Sequence, residues 1–122
     1  LTPNEINMAE ISIIVPVYNE AEYILPFYYE LKKHTPKEIE LIWVDDGSTD
    51  STLAEIEQLI TQDSRIRCIS LTRNFGQKAA ISAGIDFALA PTIILMSGNL
   101  KHPPSMIPHL LEKLNEGYEI VN

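Results

Sequence analysis

The 122-residue chain contains one cysteine, Cys68. A single thiol excludes an internal disulfide framework and any metal site built from several cysteines. Long apolar runs are missing as well. The longest largely apolar stretch, Ile11 to Tyr18, is far below the roughly 18 residues of a membrane-spanning helix. Cations are scarce: 9 Lys and Arg stand against 17 Asp and Glu, a net charge of −8. That balance excludes a non-specific nucleic-acid binder, although local basic sites for phosphate stay open. Neither G-x-G-x-x-G nor G-x-x-x-x-G-K-[ST] occurs, so dinucleotide and P-loop readings lose their main support. No positively charged apolar leader opens the chain, which makes a cytoplasmic location the expectation. The chain begins at Leu1 and stops at Ile120-Val121-Asn122, inside what reads as a strand, and is expected to be a piece of a longer protein.

What is present is an ordinary globular composition, 45% hydrophobic and 21% charged, in the length of one domain. Short β-branched runs alternate with helical patterns. The predicted strands are Ile11–Val17, Ile39–Val44, Ile66–Leu71, Thr92–Met96 and a fifth from Tyr118. A helix is expected over Glu20–His34, with Ile24, Phe27 or Tyr28, and Leu31 inward; Pro26 predicts a late start or a kink near Leu25. Asp50, Ser51 and Thr52 supply cap chemistry for a helix carrying Leu53, Ile56, Leu59 and Ile60. Gly76–Leu89 reads as a helix with Ile81, Ile85 and Ala88 inward. Pro103-Pro104 opens a last one with Ile107, Leu110, Leu111 and Leu114 on one face. The order βαβαβαβαβ predicts an α/β fold, a Rossmann-like and mostly parallel sheet with helices on both faces. Residues 1–10 are an N-terminal extension and 11–122 the domain.

Right-handed crossovers put all strand carboxyl ends on one edge, where ligands of open α/β sheets bind. Four polar segments fall there: Tyr18-Asn19-Glu20, Asp45-Asp46-Gly47-Ser48, Thr72-Arg73-Asn74 and Ser97-Gly98-Asn99. Two adjacent carboxylates ending an apolar strand are costly unless paired, hydrated or used. Asp45 and Asp46 can accept hydrogen bonds from a ribose or base, or help hold a divalent cation. Equally, Asp45 caps a loop and Asp46-Gly47 makes a turn. Asn19 and Glu20 suit the start of a helix by capping and dipole alone. Arg73 and Lys78 bracket a glycine turn whose N–H groups can approach an anion, or they are solvated charges. Cys68, Trp43 and Phe87 read as core residues, and His34 and His109 lack metal-ligand spacing.

Val15-Pro16-Val17-Tyr18-Asn19-Glu20, Val44-Asp45-Asp46-Gly47-Ser48-Thr49-Asp50 and Arg73-Asn74-Phe75-Gly76-Gln77-Lys78-Ala79-Ala80 together resemble the inverting glycosyltransferases of family 2, with the GT-A fold. The third motif is most similar to the branch that makes polyprenyl-phosphate sugars, such as dolichyl-phosphate mannose synthase and bactoprenol glucosyltransferases. The resemblance runs from Ile11 to Val121. It implies a site for a nucleotide-diphosphate sugar, with Pro16, Tyr18, Asn19 and Glu20 around the nucleoside, Asp45 with Asp46 at the base or ribose, and Arg73 and Lys78 towards the phosphates.

One match fails. The family's Asp-x-Asp-Leu-Gln frame is kept as Ser97-Gly98-Asn99-Leu100-Lys101, with Ser97 and Asn99 in place of the aspartates and Lys101 in place of the glutamine. The Mg2+ or Mn2+ expected of the family favours hard oxygen donors that include a carboxylate. Weakened metal-dependent catalysis is therefore the expectation, with Lys101 either replacing part of the metal's charge or simply solvated. The resemblance also implies an acceptor-side half beyond this chain, with the catalytic base, a lipid-phosphate acceptor and any anchor to the cytoplasmic face of a membrane. No catalytic residue is assigned within 122 residues, and Asp86 lies mid-helix. A non-catalytic nucleotide-binding or regulatory module is the alternative. A phospho-acceptor receiver domain fits poorly, because its acidic pair follows the first strand and not the second.

Overall fold

A computed structural model describes residues 10–35, 38–100, 104–109 and 112. Four strands, β1 (Ile11–Val17), β2 (Ile39–Asp45), β3 (Ile66–Ser70) and β4 (Thr92–Leu95), alternate with three helices, α1 (Ala21–His34), α2 (Thr52–Ile60) and α3 (Gln77–Phe87). A 3₁₀ turn over Pro104–Met106 follows β4 and leads into helical residues 107–109. The strands form one parallel sheet in the order β3-β2-β1-β4. Ile11 pairs in register with Ile39 on one side and Thr92 on the other. The chain winds outward from β1 to β3, then crosses back to place β4 on the free side of β1. The reversal between β1 and β4 is the switch point at which open α/β sheets form a crevice.

The reversal also decides which face each helix covers. α1 and α2 pack on one face, where Ile13, Val15, Leu41 and Trp43 of the sheet meet Ile24, Phe27, Leu31, Ile56 and Leu59. Trp43 is fully buried, its ring 6.1 Å from that of Phe27. α3 covers the opposite face over Ile14, Ile42 and Val44. Because β1 and β2 are sandwiched, their residues are buried almost without alternation, as expected of inner parallel strands.

Three local expectations are corrected. α1 starts at Ala21 and runs through Pro26, so no late start occurs. Pro26 and Glu22 both lie on the exposed side, where water can satisfy the carbonyl left without its helical donor. α3 turns its small residues inward: Ala80 and Gly84 are buried, while Ile85 is exposed. A Cβ on Gly84 would lie 2.5 Å from Ile14 Cγ2, so the helix is too close to the sheet to seat an isoleucine face. For the same reason Phe87, expected in the core, is 52% exposed. Cys68 is half-buried, and burial together with the Asp45 and Glu57 charges pushes its thiol up to about 12. Of the last predicted helix, Ile107 is fully buried. Leu110, Leu111, Leu114, Lys101, residues 1–9 and the strand from Tyr118 lie outside the described residues.

Candidate functional site

The loops after the strands are locked to one another by side chains reaching across them. Asn19 takes a φ of +49°, a left-handed conformation that asparagine tolerates better than most side chains. From there its N–H donates to Ser48 Oγ at 2.8 Å. Its Oδ1 accepts the N–H groups of Thr49 at 2.7 Å and Asp50 at 3.2 Å. The reverse grip comes from the β2–α2 loop: Thr52 Oγ1 accepts the Glu20 N–H at 3.0 Å and Asp50 Oδ2 that of Ala21 at 3.4 Å. Asp50 also accepts the Thr52 N–H at 2.9 Å and bonds its hydroxyl, and the hydroxyl contact leads in holding this carboxyl below its usual range. Asn19 therefore does not cap α1, as capping alone would have it; it satisfies amides ahead of α2. The N-cap of α1 is Glu20, whose side chain makes no capping bond.

Asp45 and Asp46 have separate tasks. Asp45 is buried, with Oδ1 accepting the Ser48 N–H at 3.2 Å, which closes its own loop. Asp46 reaches across to the next loop. Its two oxygens accept the N–H groups of Phe75 at 2.8 Å and Gly76 at 3.0 Å. The anion expected at the glycine turn before α3 is thus present within the chain, as the Asp46 carboxylate. Gly47, at φ +73°, lets the two loops touch: a Cβ there would meet the Arg73 carbonyl carbon at 2.3 Å. Arg73 lies over the ring of the exposed Phe75, 4.1 Å from its centroid, and Lys78 is exposed on the first turn of α3.

After β4, Ser97 Oγ donates to Asn99 Oδ1 at 2.6 Å. Gly98 between them is buried against β1, where a Cβ would stand 2.6 Å from Val17 Cγ1. This close approach brings the β4 loop to the end of β1.

A cavity of about 550 Å³ opens at the switch point. Pro16, Val17, Tyr18 and Glu20 line it from β1 and its loop, and Asp46 from β2. Asn74, Gly76 and Gln77 complete it from the third loop, with Ser97 and Asn99 from the fourth. Tyr18 is 43% exposed beside it. Glu20 is partly buried, and that burial raises its carboxyl above the usual range against the opposing effect of the Tyr18 N–H. Of the residues singled out in the sequence, the structure gathers Pro16, Tyr18, Glu20, Asp46, Ser97 and Asn99 around this space. Asn19 and Asp45 brace the loops behind it, and Arg73 and Lys78 do not line it. Two further lining residues, Asn74, from one of the four polar segments, and Gln77, were given no role of their own in the sequence and lie inside the motif that Arg73 and Lys78 bracket. Among the described residues no group of three His, Cys, Asp or Glu side chains comes together to hold a metal ion.

The profile of Glycosyl transferase family 2 matches residues 12–122. Among curated proteins, the uncharacterized glycosyltransferase YkcC of Bacillus subtilis is 40% identical over 113 residues, covering 90% of this chain and 35% of that protein. The bactoprenol glucosyl transferase of Shigella phage SfV is 39% identical over 115 residues, covering 92% and 38%. The chain thus spans little more than a third of the length of these relatives. Among solved structures, S. aureus TarS 1–349 in complex with UDP-GlcNAc superposes with a TM-score of 0.74 at 25% identity, over 88% of this chain and 31% of that one. The Pyrobaculum calidifontis mannosyltransferase PcManGT, in complex with GDP-Man and Mn2+, shares the fold at a TM-score of 0.69 and 21% identity, over 75% and 28%.

Proposed function

The chain belongs to glycosyltransferase family 2, and from that premise we propose that residues 11–122 form the half of a GT-A domain that binds a nucleotide-diphosphate sugar. The observation that carries this reading is the cavity at the β1/β4 switch point, to which all four carboxyl-edge loops contribute. Its lining suits a nucleoside. Tyr18 offers an aromatic face at the mouth, and the Asn74 and Gln77 amides and the Glu20 carboxyl offer hydrogen bonds to a base and ribose. The full-length reaction is inverting transfer of a sugar to a polyprenyl phosphate or another acceptor. In it an acceptor oxygen attacks the anomeric carbon while the bond to the diphosphate breaks. A base must reach the acceptor's proton, and that group belongs to the acceptor-side half beyond these residues.

A divalent cation of the family's kind does not fit the donors described. Ser97 and Asn99 present neutral oxygens bonded to each other, and both Asp46 oxygens already accept backbone amides. This observation favours a second reading, a nucleotide-binding module with little or no turnover. The test is calorimetric titration with UDP- and GDP-sugars, with and without Mn2+, on the native chain and on Ser97→Asp/Asn99→Asp. Binding by the native chain supports the proposal, and its absence up to about 5 mM overturns it. In the double variant Mn2+ is expected to tighten binding at least tenfold, about 1.4 kcal/mol. No gain would remove Ser97 and Asn99 from the metal position.

A further inference from the structure

The third carboxyl-edge loop reaches the cavity with little support of its own. Leu71 ends the strand pairing, its N–H donating to the Asp45 carbonyl at 2.9 Å. Beyond it Thr72, Arg73, Asn74 and Phe75 are all exposed, so burial does little to fix their course. That course is set by the close approach of Gly47 to Arg73 and by one side chain. Asp46 Oδ1 accepts the Phe75 N–H at 2.8 Å and Oδ2 the Gly76 N–H at 3.0 Å, a two-point grip by a carboxylate. The Asp46 N–H donates in turn to the Val17 carbonyl at 2.9 Å, which anchors the grip on the end of β1. The gripped pair is flanked in sequence by Asn74 and Gln77, and both of these line the cavity. Asp46 itself is only 4% exposed.

We infer that Asp46 is a positioning residue for the nucleotide: its carboxylate holds the third loop so that the Asn74 and Gln77 amides stand ready at the cavity, and it acts on the ligand through them. This rests on the nucleotide reading above and deepens it. A loop held before the ligand arrives spares the binding step the entropy of ordering it. The grip needs two acceptor oxygens. Asparagine supplies one and turns its NH2 donor towards the second amide, so Asp46→Asn keeps the side chain's size but undoes half of the grip. In that variant Asn74 and Gln77 lose their hold on the ligand although neither has been changed. A carboxylate that met the base or ribose directly would instead act independently of them.

The experiment is a mutant cycle on the whole chain. UDP and GDP are titrated into the native protein, Asp46→Asn, Asn74→Ala/Gln77→Ala and the triple variant. For the nucleotide that binds, removing the two amides is expected to weaken the native protein about tenfold and Asp46→Asn by less than about threefold. Equal factors in the two backgrounds, or native affinity in Asp46→Asn, overturn the inference and leave the nucleotide reading standing. Native protein that binds neither UDP nor GDP overturns both. Amide hydrogen exchange read by NMR separates positioning from general loosening. In Asp46→Asn, Phe75 and Gly76 are expected to lose protection while Thr49 and Asp50, held by Asn19 Oδ1, keep theirs. Loss at all four would mark a general destabilisation, and loss at none would show that Asp46 does not hold the loop; either result overturns the inference.

Discussion

Gly47 and Gly76 both sit at positive φ, +73° and +103°, yet they carry different loads. Gly76 has open space where a Cβ would go, so a side chain there meets only backbone strain, about 1–3 kcal/mol for a conformation almost confined to glycine. At Gly47 the same Cβ would collide with the main chain of Arg73 and Asn74, atoms that cannot turn aside. Gly47→Ala is therefore expected to destabilise more than Gly76→Ala, by at least about 1 kcal/mol in urea unfolding, because overpacking adds to strain. Equal losses would mean that the two loops do not touch there. The motif Asp45-Asp46-Gly47 made these residues conspicuous in the sequence, but not their division of labour. Adjacent carboxylates look equivalent along a chain. Only the path of the next loop decides that Asp46 faces the α3 amides while Asp45 stays in its own turn.

At the scale of elements, strand positions and their parallel order were legible because β-branched runs and cap residues are local signals. The inward face of α3 was not. Apolar periodicity points to Ile81, Ile85 and Ala88; Ala88 does pack against the core, but the helix lies so close to β1 and β2 that Ala80 and Gly84 make the buried contact and Ile85 is turned out. Interaxial distance is a property of two elements together, and no window of one helix contains it. The same limit hid the bracing role of Asn19, whose partners lie some thirty residues further on. Two substitutions in α3 test the correction. Gly84→Ala gains about 1 kcal/mol of helix propensity but forces a methyl against Ile14, and a net loss of about 1–2 kcal/mol is expected. Ile85→Ala, on the exposed side, should cost less than about 1 kcal/mol. Thermal or urea unfolding that ranked the two the other way would restore the periodicity reading.

Across the whole molecule, the amino-terminal half of the sheet is tied together by one buried polar network, centred on Glu40 of β2. Its Oε1 accepts Ser12 Oγ of β1 at 2.6 Å and the Leu89 N–H at 2.7 Å, while Oε2 accepts Arg67 of β3 at 3.0 Å. Arg67 also donates to the Phe87 carbonyl and Ser12 Oγ accepts the Ala90 N–H, so the turn between α3 and β4 is held as well. Burial alone would raise the Glu40 carboxyl, but the bonds from Leu89, Ser12 and Arg67 outweigh it and hold it below the usual range. A carboxyl with a depressed folded value binds its proton less readily folded than unfolded. Its stabilisation is therefore complete above the unfolded value and is lost as pH falls through the folded one. Asp63, held down chiefly by the Arg65 guanidinium, and Asp50 act in the same sense, and Glu20, raised by burial, acts in the opposite one. Stability should thus decline as pH falls below about 5. Glu40→Gln separates the contribution of this network. At neutral pH it removes the partner of the half-exposed Arg67 and weakens the bonds from Ser12 and Leu89, an expected loss of about 2 kcal/mol. As pH falls, the stabilisation from the Glu40 charge is lost progressively, so the gap between urea-unfolding curves of variant and native protein should narrow as pH drops below the unfolded carboxyl value of about 4.3. A gap that stayed constant over that range would mean that the Glu40 charge does not tie these strands together.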